Sequence, residues 1–460
     1  MKDFPMSADT SAFVPPDEFR ACVIGLGKIG LPLAVQFAQQ SIPTIGVDIN
    51  QTIVAIINGG DTPFPGETNL DLFLKRSLEA GMFSATTSTV DAVAASNVVM
   101  VVVPLIVDHD TKIPDYRAID AATQSVAEGL RPGTLVSYET TLPIGTTRNR
   151  FAKALAARSG LTLGQDLFVC FSPERVSSGR IFRDLSRYPK LVGGIDHPST
   201  EFAHAFYNAA LTFDERPDLT RPNGVWRMDT CEASELAKLA ETTYRDINIA
   251  FANELARHCD ATGVDVGQVI EAANSQPFSH IHQPGIAVGG HCIPVYPHLY
   301  LQGDPSAQMP RTSRAVNDRM PTYCLDQLDR LAGSLRGKRV VILGLAYRGG
   351  VKETAFSGAW TLLHELQARG AIALVHDPLY SDEELAAFKL SPYHFGEPVD
   401  AAIVQTDHVE YRNLSSAQMP GLTALVDGRN TVESIESLSA AGVKWSVLGR
   451  RSSLSSPKEG

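Results

Sequence analysis

The sequence predicts an α/β fold in which two Rossmann-like parallel-sheet domains are joined by a long central helix and a helical middle domain. Short apolar runs of strand length alternate with helical stretches in two separate parts of the chain, a pattern typical of parallel sheets with crossover helices. A long stretch with apolar residues every three or four positions lies between them. The length of 460 residues also favours several domains, because single cores rarely exceed about 250 residues.

The first alternating part is predicted to form a domain over 18–210. It opens with the strand ACVIG, a helix over 29–40 and the strand TIGVD. Three further apolar runs of strand length follow, at 97–103, 134–139 and 167–171. We expect their helices to cover both faces of one sheet.

The middle and the end of the chain complete the prediction. Helical apolar spacing over 232–260 and 264–274 predicts a helical domain at 225–325, and its apolar stripe also favours a homodimer interface. Alternation then resumes with KRVVILG, AIALVHD, AAIVQ and ALVDG, which predicts a second Rossmann-like domain over 335–450. Residues 1–17 are predicted to be a flexible arm.

Composition narrows the class of function. The chain is 44% apolar and 20% charged with a net charge of −11, which argues against a nucleic-acid or anionic-membrane surface but not against a small anionic ligand. The sequence contains no apolar run of membrane-helix length, no secretory signal and no CxxC pair. We therefore expect a reduced cytoplasmic protein with no membrane partner and no metal site.

The first chemical motif is a GxGxxG loop between a predicted strand and a predicted helix. It consists of Gly25, Leu26, Gly27, Lys28, Ile29 and Gly30, and Asp48 ends the next strand. Glycines allow the backbone to approach a pyrophosphate at the helix N-terminus, and the acidic residue binds ribose hydroxyls. A purely structural glycine turn is the alternative. Asp48 favours NAD over NADP because it would repel a 2′-phosphate.

The second motif is Gly289-Gly290-His291-Cys292-Ile293-Pro294. A free cysteine is usually an inert small hydrophobe. Here Cys292 lies between glycines and a proline, where the backbone is constrained and a substrate can approach it closely. The pattern indicates a nucleophilic thiol, whereas the other five cysteines keep the ordinary interpretation.

With these motifs in place, the chain resembles the UDP-glucose/GDP-mannose dehydrogenase family over nearly its whole length. Its SPERV and HQPG variants are closer to the bacterial branch that includes UDP-N-acetylhexosamine dehydrogenases. The resemblance rests on eight blocks in one order: VIGLGKIGLPLA (23–34), YETTLPIGTT (138–147), FSPERV (171–176), EASELAKLAETTYRDINIAFANELA (232–256), PGIAVGGHCIPVYP (284–297), RAVNDRMP (314–321), ILGLAYRGGVKET (342–354) and VDGRN (426–430).

The resemblance implies a four-electron, NAD-dependent oxidation of a nucleotide sugar to a uronic acid. The 6-hydroxyl becomes an aldehyde, a thiolate captures it as a thiohemiacetal, a second oxidation gives a thioester, and water releases the carboxylate. Cys292 matches the nucleophile and Lys238 the group that stabilises oxyanion charge. Glu174 matches the carboxylate that acts in hydrolysis, and Thr141 the residue that positions water near the cofactor. Without the resemblance, Lys238, Glu174 and Thr141 would be a solvated helix lysine, a surface acid and a turn threonine.

The resemblance also implies binding residues. Val103, Pro104 and Thr141 would contact the cofactor. The residues matched to the substrate are Glu174, Arg175, Lys238, Ile281, Gly285, Gly289, Tyr347, Arg348 and Arg429.

Several positions depart from the family pattern. Thr242 stands where the family usually has Asn, and we expect it to donate a hydrogen bond in its place. Tyr296 replaces an Asp four residues after Cys292. Other departures are Leu105, Ser178 and Ala355. The loss of the Asn and the Asp, at Thr242 and Tyr296, places the details of general base catalysis in question.

Two other functions remain open from the sequence. One is a two-electron dehydrogenase of the hydroxyacid type, which has no need for the GGHC loop. The other is a catalytically weakened homologue that binds NAD and a sugar nucleotide as a sensor, favoured by Thr242 and Tyr296. The base (uracil or thymine) and the sugar also stay open, so the expected partner is a UDP- or dTDP-hexose.

Overall fold

The computed structural model describes residue 16 and residues 18–108, 111–450 and 452–453. Apart from residue 16, the predicted arm at 1–17 lies outside them. The chain divides into two compact units, Met1–Ala240 and Glu241–Gly460. Each unit contains one large sheet with helices packed on both faces, so the predicted α/β class with two Rossmann-like sheets and a helical central region is confirmed.

The first unit is built on an eight-stranded sheet of order β10-β9-β8-β7-β4-β1-β2-β3. Its strands are β1 (Ala21–Ile24), β2 (Thr44–Val47), β3 (Phe83–Thr86), β4 (Val98–Val101), β7 (Thr134–Tyr138), β8 (Leu167–Phe171), β9 (Lys190–Gly194) and β10 (Val225–Arg227). A separate two-stranded ladder joins β5 (Ile106–Val107) and β6 (Pro114–Asp115). The helices are α1 (Gly30–Gln39), α2 (Gln51–Asn58), α3 (Leu70–Glu79), α4 (Thr89–Ala94), α5 (Arg117–Gly129), α6 (Lys153–Ser159), α7 (Ile181–Arg187) and α8 (His197–Ala210), with a π-helical turn at Thr147–Ala152.

The strand interiors explain why this sheet is buried on both faces. Val23 and Met100 pack in one hydrophobic cluster with α1, α3 and α8, whereas Cys22 and Val99 pack in another with α4, α5 and α6. Alternate side chains of a strand point to opposite faces. A strand covered by helices on both faces therefore needs a continuous apolar run, which is the pattern in the sequence.

The sheet differs from the prediction in one respect. Strands β1, β2, β3, β4, β7 and β8 are parallel, but β9 pairs antiparallel with β8, and β10 follows the direction of β9. Neither β9 nor β10 was among the predicted strands, and these two strands depart from the parallel arrangement of the rest of the sheet. Gly193 and Gly194 in β9 make room for neighbouring backbone: a Cβ at Gly193 would lie 2.2 Å from the carbonyl oxygen of Thr230.

The second unit contains a five-stranded parallel sheet of order β12-β11-β13-β14-β15. Its strands are β11 (Arg339–Leu343), β12 (Ile372–His376), β13 (Ala401–Val404), β14 (Ala424–Asp427) and β15 (Lys444–Val447). Helix α9 (Cys231–Thr262) begins in the first unit and continues into this one. The other helices are α10 (Val266–Asn274), α11 (Tyr296–Gly303), α12 (Gln308–Asp318), α13 (Met320–Ala332), α14 (Gly358–Ala368), α15 (Asp382–Ala387) and α16 (Ile435–Ala440), with a 3₁₀ turn at Val409–Tyr411.

In each large sheet, the first strand along the chain is followed by the same type of glycine turn. Gly25 and Gly344 follow the first strand of each unit at φ of +94° and +105°. The next residue donates its backbone N–H to an aspartate that follows the neighbouring strand: Leu26 to Asp48 at 3.0 Å and Leu345 to Asp377 at 2.8 Å. Of the helices that the structure describes, none is long and apolar enough to cross a bilayer.

Candidate active site

The residues predicted to bind the cofactor meet at one edge of the first sheet. Strands β7, β4, β1 and β2 are neighbours in that order and run parallel, so their carboxyl ends share an edge. The loop 25–30 follows β1 and Asp48 follows β2. Val103 and Pro104 follow β4, and Thr141 follows β7. This edge, where the strand order reverses, is the usual ligand crevice of open α/β sheets.

The loop at 25–30 has the shape that a pyrophosphate requires. A Cβ at Gly30 would lie 1.8 Å from the carbonyl oxygen of Gly25, so the loop and α1 pack too closely for any side chain there. A Cβ at Gly27 would meet nothing within 4 Å, so the space beside that residue is open. Lys28 is exposed and Ile29 half-buried. The residues present therefore fit a dinucleotide beside this loop at the N-terminus of α1.

Asp48 is held in place by its own backbone surroundings. Its Oδ2 accepts the N–H of Leu26, and its Oδ1 accepts the N–H of Asn50 at 2.9 Å. Each carboxylate oxygen accepts two hydrogen bonds, which leaves one position on each oxygen for a ribose hydroxyl. The matching Asp377 in the second unit is completely buried and also faces His408 at 3.2 Å. Only the first aspartate is therefore arranged to bind a ligand.

Thr141 lies in a loop that is anchored to α9. Thr141 is 6% exposed. Glu235 on α9 is fully buried and accepts three hydrogen bonds from this loop, from the N–H groups of Gly145 and Thr147 and from the hydroxyl of Thr147. Burial raises the pKa of Glu235 to about 7, although the bonds to Thr147 oppose the shift. Glu235 was not predicted as a site residue, because a glutamate near a helix start is usually solvated.

Glu174 belongs to a buried ionic cluster. The Nζ of Lys190 lies 2.7 Å from Oε2 of Glu139 and 3.0 Å from Oε2 of Glu174. The hydroxyl of Tyr207 donates to the other oxygen of Glu139. Burial raises the pKa of Glu139, and the two carboxylates outweigh burial to raise the pKa of Lys190. With a side chain only 10% exposed, Glu174 is not the surface acid that an ordinary loop would present.

Three more of the predicted residues are Arg175, which follows Glu174 and is half-buried, and Lys238 and Thr242 on α9, which are buried. Arg175 donates a hydrogen bond to the carbonyl oxygen of Pro189 at 3.3 Å. Lys238 and Thr242 are 6% and 3% exposed. They stand four residues apart and so share one face of α9. Lys238 is thus not a solvated helix lysine.

The predicted nucleophile lies in the second unit and is the exposed cysteine. Cys292 is exposed, whereas the other five cysteines are buried. Burial raises the pKa values of Cys22 and Cys170 to about 12, which keeps those thiols inert. The Sγ of Cys292 lies 3.6 Å from the hydroxyl of Tyr296. The residue that replaces the family Asp is therefore a neighbour of the thiol.

Glycines shape the loop that carries Cys292. Gly290 has φ of +90° and donates its N–H to the carbonyl oxygen of Ala355 at 2.8 Å. A Cβ at Gly289 would lie 2.5 Å from Cβ of Tyr347. His291 lies 3.6 Å from Glu353. The loop is thus seated on the segment 347–355, which contains two of the predicted substrate residues.

Arg429 and Gly285 are also brought together in this unit. Arg429 donates to the carbonyl oxygens of Gln405 and Tyr347 at 2.9 and 3.1 Å. A Cβ at Gly285 would lie 2.9 Å from its Nη1. Arg348 is exposed beside the Tyr347 ring. Ile281 lies in the loop before Gly285, where its N–H donates to the side chain of Asn274.

A buried polar network beneath this group was not predicted. Asn253 accepts the N–H of Gly285 at 2.9 Å and donates to Asn317 at 2.8 Å. Asn317 and Arg314 both donate to Asp246, which is completely buried. The block RAVNDRMP contains Arg314 and Asn317, so the signal was in the sequence. Periodicity alone does not show which polar residues of a helix are buried.

Comparison with known proteins identifies the family of the chain. Three models of the UDP-glucose/GDP-mannose dehydrogenase family match in order: the NAD binding domain at 19–211, the central domain at 232–319 and the UDP binding domain at 341–434. A UDP-N-acetyl-D-mannosamine dehydrogenase of Pyrococcus horikoshii is 32% identical over 90% of this chain and 96% of its own length. An NDP-N-acetyl-D-galactosaminuronic acid dehydrogenase of Ralstonia nicotianae is 32% identical over 86% and 92%.

A solved structure is also similar to this chain. The structure of a UDP-D-ManNAc dehydrogenase from Pyrococcus horikoshii has a TM-score of 0.81 and 31% identity, covering 94% of this chain and 99% of that one. Together with the family models, this similarity confirms NAD as the cofactor and the predicted branch. The chain therefore belongs to the UDP-glucose/GDP-mannose dehydrogenase family and is an NAD-dependent nucleotide-sugar dehydrogenase.

Proposed function

We propose that the protein oxidises the 6-hydroxyl of a UDP- or dTDP-hexose to a carboxylate by a four-electron reaction with a covalent intermediate on Cys292. The observation that carries this proposal is the difference in exposure among the six cysteine thiols. Five of the six are buried, whereas Cys292 is exposed on a glycine-flanked loop in the unit that contains the UDP binding domain. A two-electron dehydrogenase has no use for such a nucleophile.

The proposed reaction has three stages on the substrate carbon. The alcohol loses a hydride and a proton to give an aldehyde. The thiolate of Cys292 adds to that carbonyl carbon, and the resulting thiohemiacetal loses a second hydride and proton to give a thioester. Water then adds, the C–S bond breaks, and the carboxylate leaves as the thiolate is restored. NAD, when bound, accepts the hydride in both oxidations.

We assign the remaining roles to residues of this chain. The loop 25–30 and Asp48 hold the cofactor, with Val103, Pro104 and Thr141 beside it. The buried Lys238 stabilises developing negative charge on the substrate oxygen, because a cation acts more strongly away from water. Glu174 accepts a proton from the attacking water during hydrolysis. Thr242 donates a hydrogen bond in the same reaction.

We propose a UDP-N-acetylhexosamine as the substrate to test first. Relatives from P. horikoshii and R. nicotianae, 32% identical to this chain, are named for N-acetylated sugars. In the second unit, we assign the sugar nucleotide to Gly285, Gly289, Tyr347, Arg348 and Arg429, and Ile281 to the rim of the same pocket. Arg429 is held by two carbonyl oxygens, which presents its remaining N–H groups in a fixed direction for a phosphate.

The test is the ratio of NADH formed to sugar nucleotide consumed, measured over a panel of UDP- and dTDP-sugars. We expect a ratio of two, with one carboxylate per sugar. A ratio of one would support a two-electron dehydrogenase. Binding without NADH formation on every sugar would support a sensor. Either result would overturn the proposed reaction.

We further propose a homodimer. Tyr244 and Phe251 of α9 are 56% and 50% exposed, and their spacing of seven residues places them on one helix face. Large apolar side chains exposed in a row favour association with a second copy. Sedimentation equilibrium should give twice the chain mass, and a monomer at micromolar concentration would contradict this assignment.

A further inference from the structure

The cluster around Lys190 raises a question that the proposed reaction leaves open. Glu139, Lys190 and Tyr207 have no assigned role, yet they are almost completely buried. Burying a charge is costly unless it is paired. Lys190 needs only one carboxylate to be neutralised, and Glu139 at 2.7 Å supplies it. The contact with Glu174 is therefore not needed to neutralise Lys190.

The hydrogen bonds of Glu174 fix its carboxylate from both sides. Its Oε1 accepts the backbone N–H groups of Arg175 and Val176 at 2.6 and 3.2 Å. Its Oε2 accepts the ammonium of Lys190 at 3.0 Å. A carboxylate has about four acceptor positions, so these contacts fill three of them. One position, on Oε2, remains for a water molecule.

Lys190 is itself prevented from moving. Its ammonium is shared between Glu139 and Glu174, and it lies 4.9 Å above the Tyr207 ring. Glu139 in turn accepts the Tyr207 hydroxyl, which is 2.9 Å from the hydroxyl of Ser137. Cys170 is the remaining titratable neighbour, and its thiol is buried. The ammonium therefore has one fixed direction toward Glu174.

We propose that Lys190 is a positioning residue for thioester hydrolysis, which holds the carboxylate of Glu174 oriented toward the attacking water. This inference rests on the proposed function. It predicts that Lys190 matters for the last stage of the reaction, in which a proton passes from water to Glu174 and the C–S bond breaks. Glu174 is assigned no proton transfer in the first oxidation, so that stage should depend on Lys190 far less.

The main test compares three variants of the full-length enzyme. Lys190→Met alone would leave the buried carboxylate of Glu139 without a cation and should destabilise the fold. The decisive protein is therefore the double variant Glu139→Gln/Lys190→Met, which removes both charges. Lys190→Arg is the rescue variant, because it keeps a cation. Tyr207→Phe is the matched control, because it removes a hydrogen bond from Glu139 but leaves the contact of Lys190 with Glu174.

The measurement is a quenched single turnover with NAD and the active sugar nucleotide, followed by the mass of the protein and by NADH. In the double variant we expect carboxylate release to slow by roughly 10-fold or more, within the range of general base effects. The thioester should accumulate on Cys292 while the first hydride transfer changes by less than about 3-fold. Lys190→Arg should recover most of the release rate, and Tyr207→Phe should stay within about 3-fold of wild type.

Equal slowing of both stages, or release at the wild-type rate in the double variant, would overturn the positioning role. A loss of hydrolysis in Tyr207→Phe as large as in the double variant would also overturn it, because it would indicate general damage to the cluster. Failure of the proposed function is seen separately, since the wild-type enzyme would then form no carboxylate or only one NADH per sugar.

Discussion

At the scale of single residues, Tyr296 beside Cys292 is a clear departure of this chain from its family pattern. Tyr296 places a hydroxyl 3.6 Å from the thiol, where the family pattern has a carboxylate. A phenol can donate a hydrogen bond to a thiolate but cannot take a proton from water at neutral pH. We therefore expect Tyr296 to support capture of the aldehyde more than hydrolysis.

Replacement of Tyr296 tests whether its hydroxyl supports capture of the aldehyde more than hydrolysis of the thioester. In Tyr296→Phe, formation of the Cys292 adduct should slow by about 10-fold, since hydrogen bonds to charged groups contribute about 1.5–3 kcal/mol. In Tyr296→Asp, carboxylate release should become faster than in wild type. Stopped-flow NADH formation and quenched carboxylate release report the two stages. Unchanged adduct formation in Tyr296→Phe would show that the hydroxyl has no part in capture.

The two strand-end aspartates offer a second residue-scale prediction. Asp48→Ala should raise the KM for NAD by at least about 10-fold, because the loop 25–30 loses an anchor and the ribose loses its acceptor. Asp377→Ala is the matched control, since that carboxylate holds Leu345, Ala346 and His408 instead. It should lower the thermal midpoint and leave the KM for NAD within about 2-fold. Equal effects on NAD would contradict the assignment of Asp48.

At the scale of elements, the strands show what sequence reasoning can and cannot reach. The runs at β1, β4, β7, β8, β11 and β14 are apolar and fully or almost fully buried, so hydrophobicity alone located them. Strand β9 begins with Lys190 and ends with two glycines, a composition that disfavours strand prediction. The cluster of Glu139, Lys190 and Tyr207 was missed for the same reason.

The candidate site also contains parts that the sequence predicts and parts that it does not. Motifs with local geometry, such as the loop 25–30 and the loop of Cys292, could be predicted because neighbouring residues determine them. Lys190 meets Glu139 across 51 positions of sequence, and Asn253 meets Asn317 across 64. Such contacts depend on strand order and helix packing, which a single sequence does not specify.

Glu235 of α9, which accepts hydrogen bonds from the loop that contains Thr141, predicts a dependence of the free energy of unfolding on pH. The pKa of Glu235 rises from 4.5 to about 7 on folding. The folded state therefore holds a proton that the unfolded chain loses, and the resulting stability is complete below about pH 4.5 and lost as pH rises through about 7. Wild type should lose stability relative to Glu235→Gln between pH 5 and pH 8, by a few kcal/mol.

Denaturant unfolding of wild type and Glu235→Gln at four pH values in that range measures this difference. Subtracting the two curves isolates the titration of Glu235 from that of the other groups. Parallel curves would mean that Glu235 remains ionised throughout the range. The anchor would then depend on charge-assisted hydrogen bonds from Gly145 and Thr147 alone.

At the scale of the whole molecule, each of the two units carries one part of the ligand chemistry. The first contains the glycine loop and the exposed edge around Asp48. The second unit has the same strand–glycine–aspartate arrangement, but its aspartate, Asp377, faces His408. The family model that matches this sheet is a UDP binding domain. The same type of sheet therefore occurs in two domains whose family models are named for different ligands, NAD and UDP.

Hydrogen exchange separates the two assignments. NAD alone should protect the amides of the loop 25–30 and those around Thr141, whereas UDP alone should protect 285–292 and 347–355. Each ligand should leave the peptides assigned to the other less affected. Protection of the loop 25–30 by UDP and of 347–355 by NAD would reverse the assignment of the units.

The central claim is that Cys292 carries the substrate between the two oxidations. Its most direct test is carboxylate formation by Cys292→Ser, with the buried Cys259→Ser as the matched control. We expect Cys259→Ser to make two NADH and one carboxylate per sugar, like wild type. Cys292→Ser should lose carboxylate release by at least about 1,000-fold, since a serine hydroxyl is not ionised at neutral pH. Release by Cys292→Ser at the wild-type rate would contradict the covalent mechanism.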